Sequence, residues 1–276
     1  MPLDQRLDEP GALAYTTEPL AAEFEVTGQV RARLFVSSSA AVAYFRVKLI
    51  DVAPDGTAKL VRYGGLNAAH RASHEDPQAL EKAEVYAIEI ALEQTSYVFA
   101  PGHRLRVMIA GADFQNAWPT GTAGVHAVHR GAGFPSCVVL PVVPAPPQPA
   151  LARPDLRELP PADADDLSRP MEYAIGRDLA SQTTSMRLGR DSEEGADSLS
   201  LRSEFTVSRS EPANARLTAS ARYRVRRGEA EVEVHADEVT TSDKLEFRHE
   251  AKVHVTRDGE AFWSKGWSVR VPRRLS

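Results

Sequence analysis

The side chains best suited to covalent or metal chemistry are three serines and two histidines. Ser37–Ser39 are consecutive, and His126 and His129 lie three residues apart. A serine with a histidine base can form an acyl-enzyme, and two imidazoles can bind a metal ion. The spacing favours neither, because imidazoles three apart share a face only on a helix and glycine precedes this pair. The serines end an apolar strand and do not fill the turn of a G-x-S-x-G motif. We therefore predict no catalytic residue and interpret both histidines as loop or surface residues.

The other candidate ligands are also interpreted structurally. Cys137 lies between Ser136 and two valines, a pattern typical of a small buried side chain. Asp163, Asp165 and Asp166 belong to an acidic spacer without the glycine turn of a calcium loop. His103 precedes a strand, where we expect it to hydrogen-bond locally. We predict no metal site and no cofactor.

Charge and hydropathy exclude two classes of partner. The formal net charge is −5 and the pI about 5.9, whereas nucleic-acid binders carry a clustered basic excess. Arg222, Arg224 and Arg226 recur at spacing two, as on the solvent face of a strand. No apolar run approaches the roughly 18 residues of a membrane span, and the N-terminus lacks the apolar stretch of a signal peptide. We expect a cytoplasmic protein that binds neither nucleic acid nor membrane.

The elements that must position these residues are strands. EFEVTGQVRARLFVSS alternates apolar and polar residues, with Val30, Ala32, Leu34 and Val36 on one face. Further strands are predicted in YFRVKLIDV, EVYAIEIALE, RLRVMIAGADF and PSCVVLPVV, and Asp55-Gly56 predicts a hairpin turn. Many strands without intervening helices predict an antiparallel sandwich.

A proline-rich segment divides the chain. Nine of the nineteen prolines lie between Pro141 and Pro170, which predicts an extended linker at residues 144–169. Seven longer strand patterns follow, and His249 lies on the apolar side of one of them. We predict two domains, residues 1–143 and 170–276, the second an antiparallel β-meander that forms a curved sheet or an open barrel.

Several motifs in order carry a family resemblance. DQRLDEPGALAYTTEPL, EVTGQVRARLFVSSSA, FRVKLIDVAPDG, the segment from Tyr97 to Phe114 and FPSCVVLPVVP together resemble the C-terminal domain of the X-Pro dipeptidyl-peptidase family, which includes cocaine esterase. The resemblance implies a galactose-binding-like jelly roll at residues 4–144. EPANARLTASARYRVRRG, DKLEFRHEAKV and WSVRVPR resemble the extra β domain of some members.

The resemblance also implies a partner. In this family the catalytic Ser, Asp and His belong to an α/β-hydrolase domain that precedes the jelly roll, and these 276 residues contain no such domain. We therefore expect the chain alone to be inactive. We expect it to be an accessory region of a serine hydrolase for acyl esters, amides or X-Pro dipeptides, with self-association as a further expectation.

The loop DFQNAWPTG is the candidate binding site. Family jelly rolls flank the hydrolase cleft, so the resemblance implies a cleft wall or interface here, where we expect Phe114 and Trp118 to supply apolar area and Asn116 a polar anchor. Two alternatives remain open from the sequence. The aromatic residues cap the sandwich core, or the chain is a free-standing β-sandwich module that binds a carbohydrate or another ligand.

Overall fold

The structure is a computed structural model that describes residues 4–6, 8–114, 116–144 and 171–276. These residues form two compact units. The first holds the described residues up to 144, with which Leu275–Ser276 are grouped, and the second holds residues 171–274. The predicted linker at 144–169 and its three aspartates lie, except for residue 144, outside the described residues, so the domain boundaries stay a prediction.

Strands dominate both units. Two short 3-10 turns, Glu9–Gly11 and Ala68–His70, are the helical elements of the described residues, none of which form a helix long and apolar enough to cross a membrane. The strands are β1 (Leu13–Thr16), β2 (Phe24–Ser38), β3 (Tyr44–Val52), β4 (Ala58–Asn67), β5 (Tyr86–Phe99), β6 (Arg104–Ala110), β7 (His126–His129), β8 (Cys137–Val139), β9 (Glu172–Asp178), β10 (Thr183–Glu194), β11 (Asp197–Ser208), β12 (Arg216–Arg227), β13 (Ala230–Ser242), β14 (Glu246–Arg257) and β15 (Glu260–Pro272).

The first unit contains two antiparallel sheets with an apolar core. The first sheet has the order β1-β6-β3-β4, and the second has the order β5-β2-β7, with β8 also paired to β2. The core draws Val30, Ala32, Leu34 and Val36 from β2, as the alternation predicts, together with apolar residues of β3, β4, β5 and β6. Both sheets therefore bury one face in the same core, and the predicted sandwich is confirmed.

Strand β3 is unusual because it is buried on both faces. Phe45, Val47 and Leu49 face the sandwich core. The alternate residues lie on the opposite face of the first sheet, here called the outer face, where Ile50 belongs to a separate small apolar cluster. There Lys48 Nζ donates to Gln5 Oε1 at 2.8 Å and to Asp8 Oδ2 at 2.7 Å. The N-terminal residues therefore cover part of the outer face.

The second unit is one seven-stranded antiparallel sheet. Its order, β15-β14-β13-β12-β11-β10-β9, follows the chain without a crossover. The predicted all-β meander is confirmed. Its two edges are β9 and the 13-residue strand β15.

Tight turns contain glycine where the backbone needs a positive φ. Gly56 has φ +87°, and Thr57 N donates to Asp55 Oδ1 at 2.9 Å, as the predicted Asp-Gly hairpin between β3 and β4 requires. The Asp258-Gly259 turn joins β14 to β15 in the same way, with φ +52° and +82°.

Several local interpretations were wrong. Cys137 is exposed, because β8 is a three-residue strand whose alternation turns Val138 inward and its neighbours outward. His126 and His129 lie in strand β7 and are half-buried. His249 is half-exposed instead of lying in a core, because the second unit is a single sheet. Its Nδ1 lies 2.9 Å from Thr240 Oγ1.

Candidate functional site

The predicted loop follows the end of β6 and spans residues 111–125, here called the β6–β7 loop. The rings of Phe114 and Trp118 meet edge to face, with centroids 5.7 Å apart and planes at 86°. Asn116 Nδ2 donates to Asp113 Oδ2 at 3.0 Å, and its backbone N–H donates to Asp113 O, also at 3.0 Å. All three predicted residues therefore lie in one turn that Asp113 organises.

A buried ion pair fixes this turn to the outer face of the first sheet. Arg46 Nη2 contacts Asp113 Oδ2, and the two side chains are only 7% and 12% exposed. The guanidinium carbon of Arg46 also lies 4.1 Å from the ring centroid of Tyr63, a cation–π contact. The close Arg46–Asp113 contact lacks the alignment of a hydrogen bond, and Arg46 Nε has no hydrogen-bond partner among the described residues.

The pairing of β3 with β4 makes room for this arrangement. Arg46 lies opposite Gly65, and Tyr44 lies opposite Asn67. A Cβ at position 65 would clash with the phenol of Tyr44 and would lie 3.3 Å from Arg46 Nη1. Glycine at this position therefore lets Tyr44 pack across β4 beside Arg46.

The same surroundings keep Tyr44 neutral. Burial raises the pKa of its phenol, the positive charge of Arg46 opposes this shift, and the carboxylate of Asp113 adds to it. Tyr44 therefore remains a hydrogen-bond donor at neutral pH. Together with Arg46, Asp113 and Tyr63 it forms a polar group that attaches the loop to the outer face of the first sheet.

None of the four residues of this group was predicted as a site residue from the sequence, although Asp113 begins the predicted loop. YFRVKLIDV reads as one apolar strand, yet Arg46 and Lys48 alternate within it on the face opposite the core. Charged residues in a strand that is otherwise apolar indicate that both faces are covered. That signal was available, whereas the pairing of Arg46 with Asp113 spans 67 positions and needed the fold.

The serines and histidines do come together, at a different place. Ser38 Oγ lies 3.0 Å from His126 Nδ1, and Ser37 Oγ lies 2.8 Å from His129 Nε2. Ser38 is buried, and its hydroxyl already accepts from Ala40 N and donates to Ala40 O. Burial lowers the pKa of His126. These contacts join β2 to β7. The hydroxyl of Ser38 is already occupied by its two hydrogen bonds to the backbone of Ala40.

Another histidine has a structural hydrogen bond. His103 Nδ1 lies 2.8 Å from Asp51 Oδ1, and Tyr97 Oη donates to Asp51 Oδ2 at 2.8 Å. Burial and this carboxylate together raise the pKa of the Tyr97 phenol. The contacts join β3, β5 and the turn before β6. His103 therefore forms a hydrogen bond, as predicted, but its partner is 52 positions away and is not a local residue.

The basic stripe of β12 is balanced by its neighbour. Arg226 Nη2 donates to Glu231 Oε2 at 2.5 Å, and Arg222 and Arg224 lie 3.6 and 3.5 Å from Glu233 Oε1. Cross-strand carboxylates therefore neutralise the stripe, which weighs against a binding surface for polyanions.

With this geometry described, the comparison with known proteins assigns the family. Residues 2–139, half of the chain, match the model of the X-Pro dipeptidyl-peptidase C-terminal non-catalytic domain. The chain belongs to this family. The cocaine esterase of Rhodococcus sp. (strain MB1 Bresler) is 38% identical over an alignment 158 residues long, which covers 51% of this chain and 28% of that esterase. The chain thus spans about a quarter of the length of this relative, and the domain that the family model describes is non-catalytic.

Solved structures include similar domains. An aminopeptidase from a marine sediment archaeon, Thaumarchaeota archaeon, matches 51% of this chain and 27% of its own, with 27% identity and a TM-score of 0.48. An α-amino acid ester hydrolase matches 51% of this chain and 27% of its own, with 25% identity and a TM-score of 0.47.

Proposed function

We propose that the family domain packs against an α/β-hydrolase domain and that its β6–β7 loop forms part of the wall of the acyl-binding cleft. The observation that carries the proposal is the buried Arg46–Asp113 ion pair, which holds the Phe114–Trp118 ring pair in a fixed position at the end of β6. Rigid aromatic residues beside a fixed polar group are the usual anchors of a protein interface.

Two properties of the loop support a docking role over simple core capping. Phe114 and Trp118 are half-buried and belong to neither buried apolar cluster of the first unit. Asn116 is exposed and remains able to hydrogen-bond through its amide oxygen. The substrates we propose are acyl esters, amides or X-Pro dipeptides, because the matching family model is named for X-Pro dipeptidyl-peptidases and a relative is an esterase.

The first test is the reading frame that precedes residue 1. A hydrolase with G-x-S-x-G, encoded in frame or in the adjacent gene, is the expected result. In the resulting enzyme or complex, Trp118→Ala should weaken domain association by roughly 1 to 4 kcal/mol. If the loop lines the cleft, the same variant should raise the KM for a short-chain ester.

A matched control separates docking from stability. Phe134 also forms an aromatic pair on a loop of this unit, with Phe35 at 5.7 Å, on the second sheet. Phe134→Ala should lower the melting temperature but leave association and KM unchanged. If Trp118→Ala behaves like Phe134→Ala, the ring pair only caps the sandwich.

The ring geometry disfavours the alternative of a carbohydrate-binding module. Flat sugar rings stack on coplanar aromatic residues, whereas Phe114 and Trp118 are perpendicular and Trp263 and Trp267 of β15 are tilted by 55°. Binding of the purified chain to a glycan array, lost in Trp118→Ala, would favour the alternative.

A further inference from the structure

Strand β15 is a long edge strand with unusual exposure. It pairs with β14 along one side, and each of its 13 residues is exposed. Trp263 and Trp267 are 45% and 40% exposed on the same side of the strand, with Val269 next to them in the alternation. Native sheets usually protect such an edge with bulges, prolines or charged residues.

The protective features lie at the ends of β15. A bulge at Phe262 shifts the register with β14, and Pro272 ends the strand. Between them, from Trp263 to Val269, Lys265 is the one charged residue. This stretch of seven residues is therefore regular, free of proline and, apart from Lys265, apolar on the face that carries the two tryptophans.

The hydrogen-bond pattern shows which backbone groups point to the bare edge. Arg273 N donates to Leu245 O at 2.7 Å, one residue past the Glu246–Pro272 pair. Residues that bond the neighbouring strand alternate with residues that point away from it. The odd-numbered residues of β15 after the bulge therefore bond β14, and the N–H and C=O groups of Ser264, Gly266 and Ser268 point to the bare edge.

We propose that this edge pairs with the β15 edge of a second copy of the chain, antiparallel about a two-fold axis at Gly266. That register sets Ser264 opposite Ser268, Trp263 opposite Val269 and Lys265 opposite Trp267. Lys265 Nζ already lies 5.1 Å from the Trp267 ring within one chain, so the pairing gives each indole a second cation.

Charge and hydrogen bonding favour this occupant and this register. A two-fold axis at Lys265 would place two ammonium groups directly opposite each other, which is destabilising. With the axis at Gly266 the two Lys265 residues are only diagonal neighbours, and the outward groups of the three even-numbered residues form about six interstrand hydrogen bonds. The seven-stranded sheets of the two copies then form one continuous sheet. This dimer does not depend on docking to a hydrolase.

Substitutions at Gly266 test the inference in the full chain. Gly266→Pro removes the central outward N–H without removing a bond to β14, because that N–H points to the bare edge. Gly266→Ala is the matched control, since it keeps the N–H and its Cβ would lie no closer than 3.8 Å to Ala251 O. Circular dichroism and thermal melts establish that each variant keeps the sheet.

Sedimentation velocity over a dilution series reads out the result. We expect the parent and Gly266→Ala to dimerise and Gly266→Pro to raise the dimer Kd by at least about tenfold. A parent that stays monomeric overturns the inference. So does a dimer that folded Gly266→Pro leaves intact, which would place the contact elsewhere.

A cross-link tests the register. Paired residues that exchange hydrogen bonds have Cα atoms about 5.5 Å apart, within the range of a disulfide. Gly266→Cys, in a chain whose exposed Cys137 is replaced by serine, should form a disulfide dimer on mild oxidation, whereas Ser192→Cys, on β10 within the same sheet, should not. Equal cross-linking of both variants, or of neither, overturns the Gly266 axis.

Discussion

Removing the carboxylate of Asp113 should destabilise the first unit strongly. Asp113→Ala leaves the guanidinium of Arg46, 7% exposed, without its carboxylate. Breaking a buried ion pair from one side typically costs 3–5 kcal/mol. The cation–π contact with Tyr63 remains and Asp113 is slightly accessible, so we expect the lower end, about 3 kcal/mol. For a unit of this size, about 1 kcal/mol corresponds to about 4 °C, so the melting temperature should fall by about 12 °C.

Two controls isolate the cause. Glu89→Ala breaks an exposed pair with Arg31 and Arg33 and should change the melting temperature little. Arg46→Met combined with Asp113→Leu removes both charges and should recover most of the lost stability, because the uncompensated charge is the cost.

Differential scanning calorimetry measures all three variants. A fall of less than about 4 °C for Asp113→Ala would mean that the pair contributes no more than a surface ion pair. A double variant no more stable than the single one would locate the loss in the turn that Asp113 organises, and the reasoning from buried charge would be refuted.

Three further predictions concern the rest of the chain. A fluorophosphonate probe should label no serine stoichiometrically, and active-site-like labelling of Ser38 or Ser37 would contradict the inactive assignment. Burial lowers the pKa of His126, so just below pH 6.5 the imidazole binds a proton more readily in the unfolded chain than in the folded chain. Stability should therefore fall as the pH drops below about 6.5, and urea titrations of His126→Gln should show a flatter dependence. Cleavage within residues 145–166 should yield two pieces that each keep their β signal in circular dichroism, and loss of that signal by either piece would show a shared core.

Patterns within one element were predictable from the sequence, and contacts between distant elements were not. The alternation of β2 and the Asp55-Gly56 turn depend on neighbouring residues, so their structure follows from local rules. Cys137 was misinterpreted because its valine neighbours indicate burial, whereas in β8 only the central Val138 turns toward the core and is half-buried.

The candidate site shows the same division. Phe114, Asn116 and Trp118 were identified as one loop because they are close in the chain. Their attachment to the outer face through Arg46 depends on the pairing of β3 with β6 and β4, which no local pattern reveals. The histidines His126 and His129 were placed in a loop for a similar reason, since their strand exists only by pairing with β2.

The two proposed contacts use different chemistry and therefore separate experimentally. The β6–β7 loop offers side chains fixed by a buried ion pair, so Trp118→Ala removes contact area without changing any backbone donor. The edge of β15 offers backbone groups, so Gly266→Pro removes a donor and leaves every aromatic ring in place. Trp118→Ala should therefore leave the dimer intact, and Gly266→Pro should leave hydrolase association intact. If either variant abolishes both associations while the chain stays folded, one surface must serve both contacts, and the assignment of a separate partner to each is wrong.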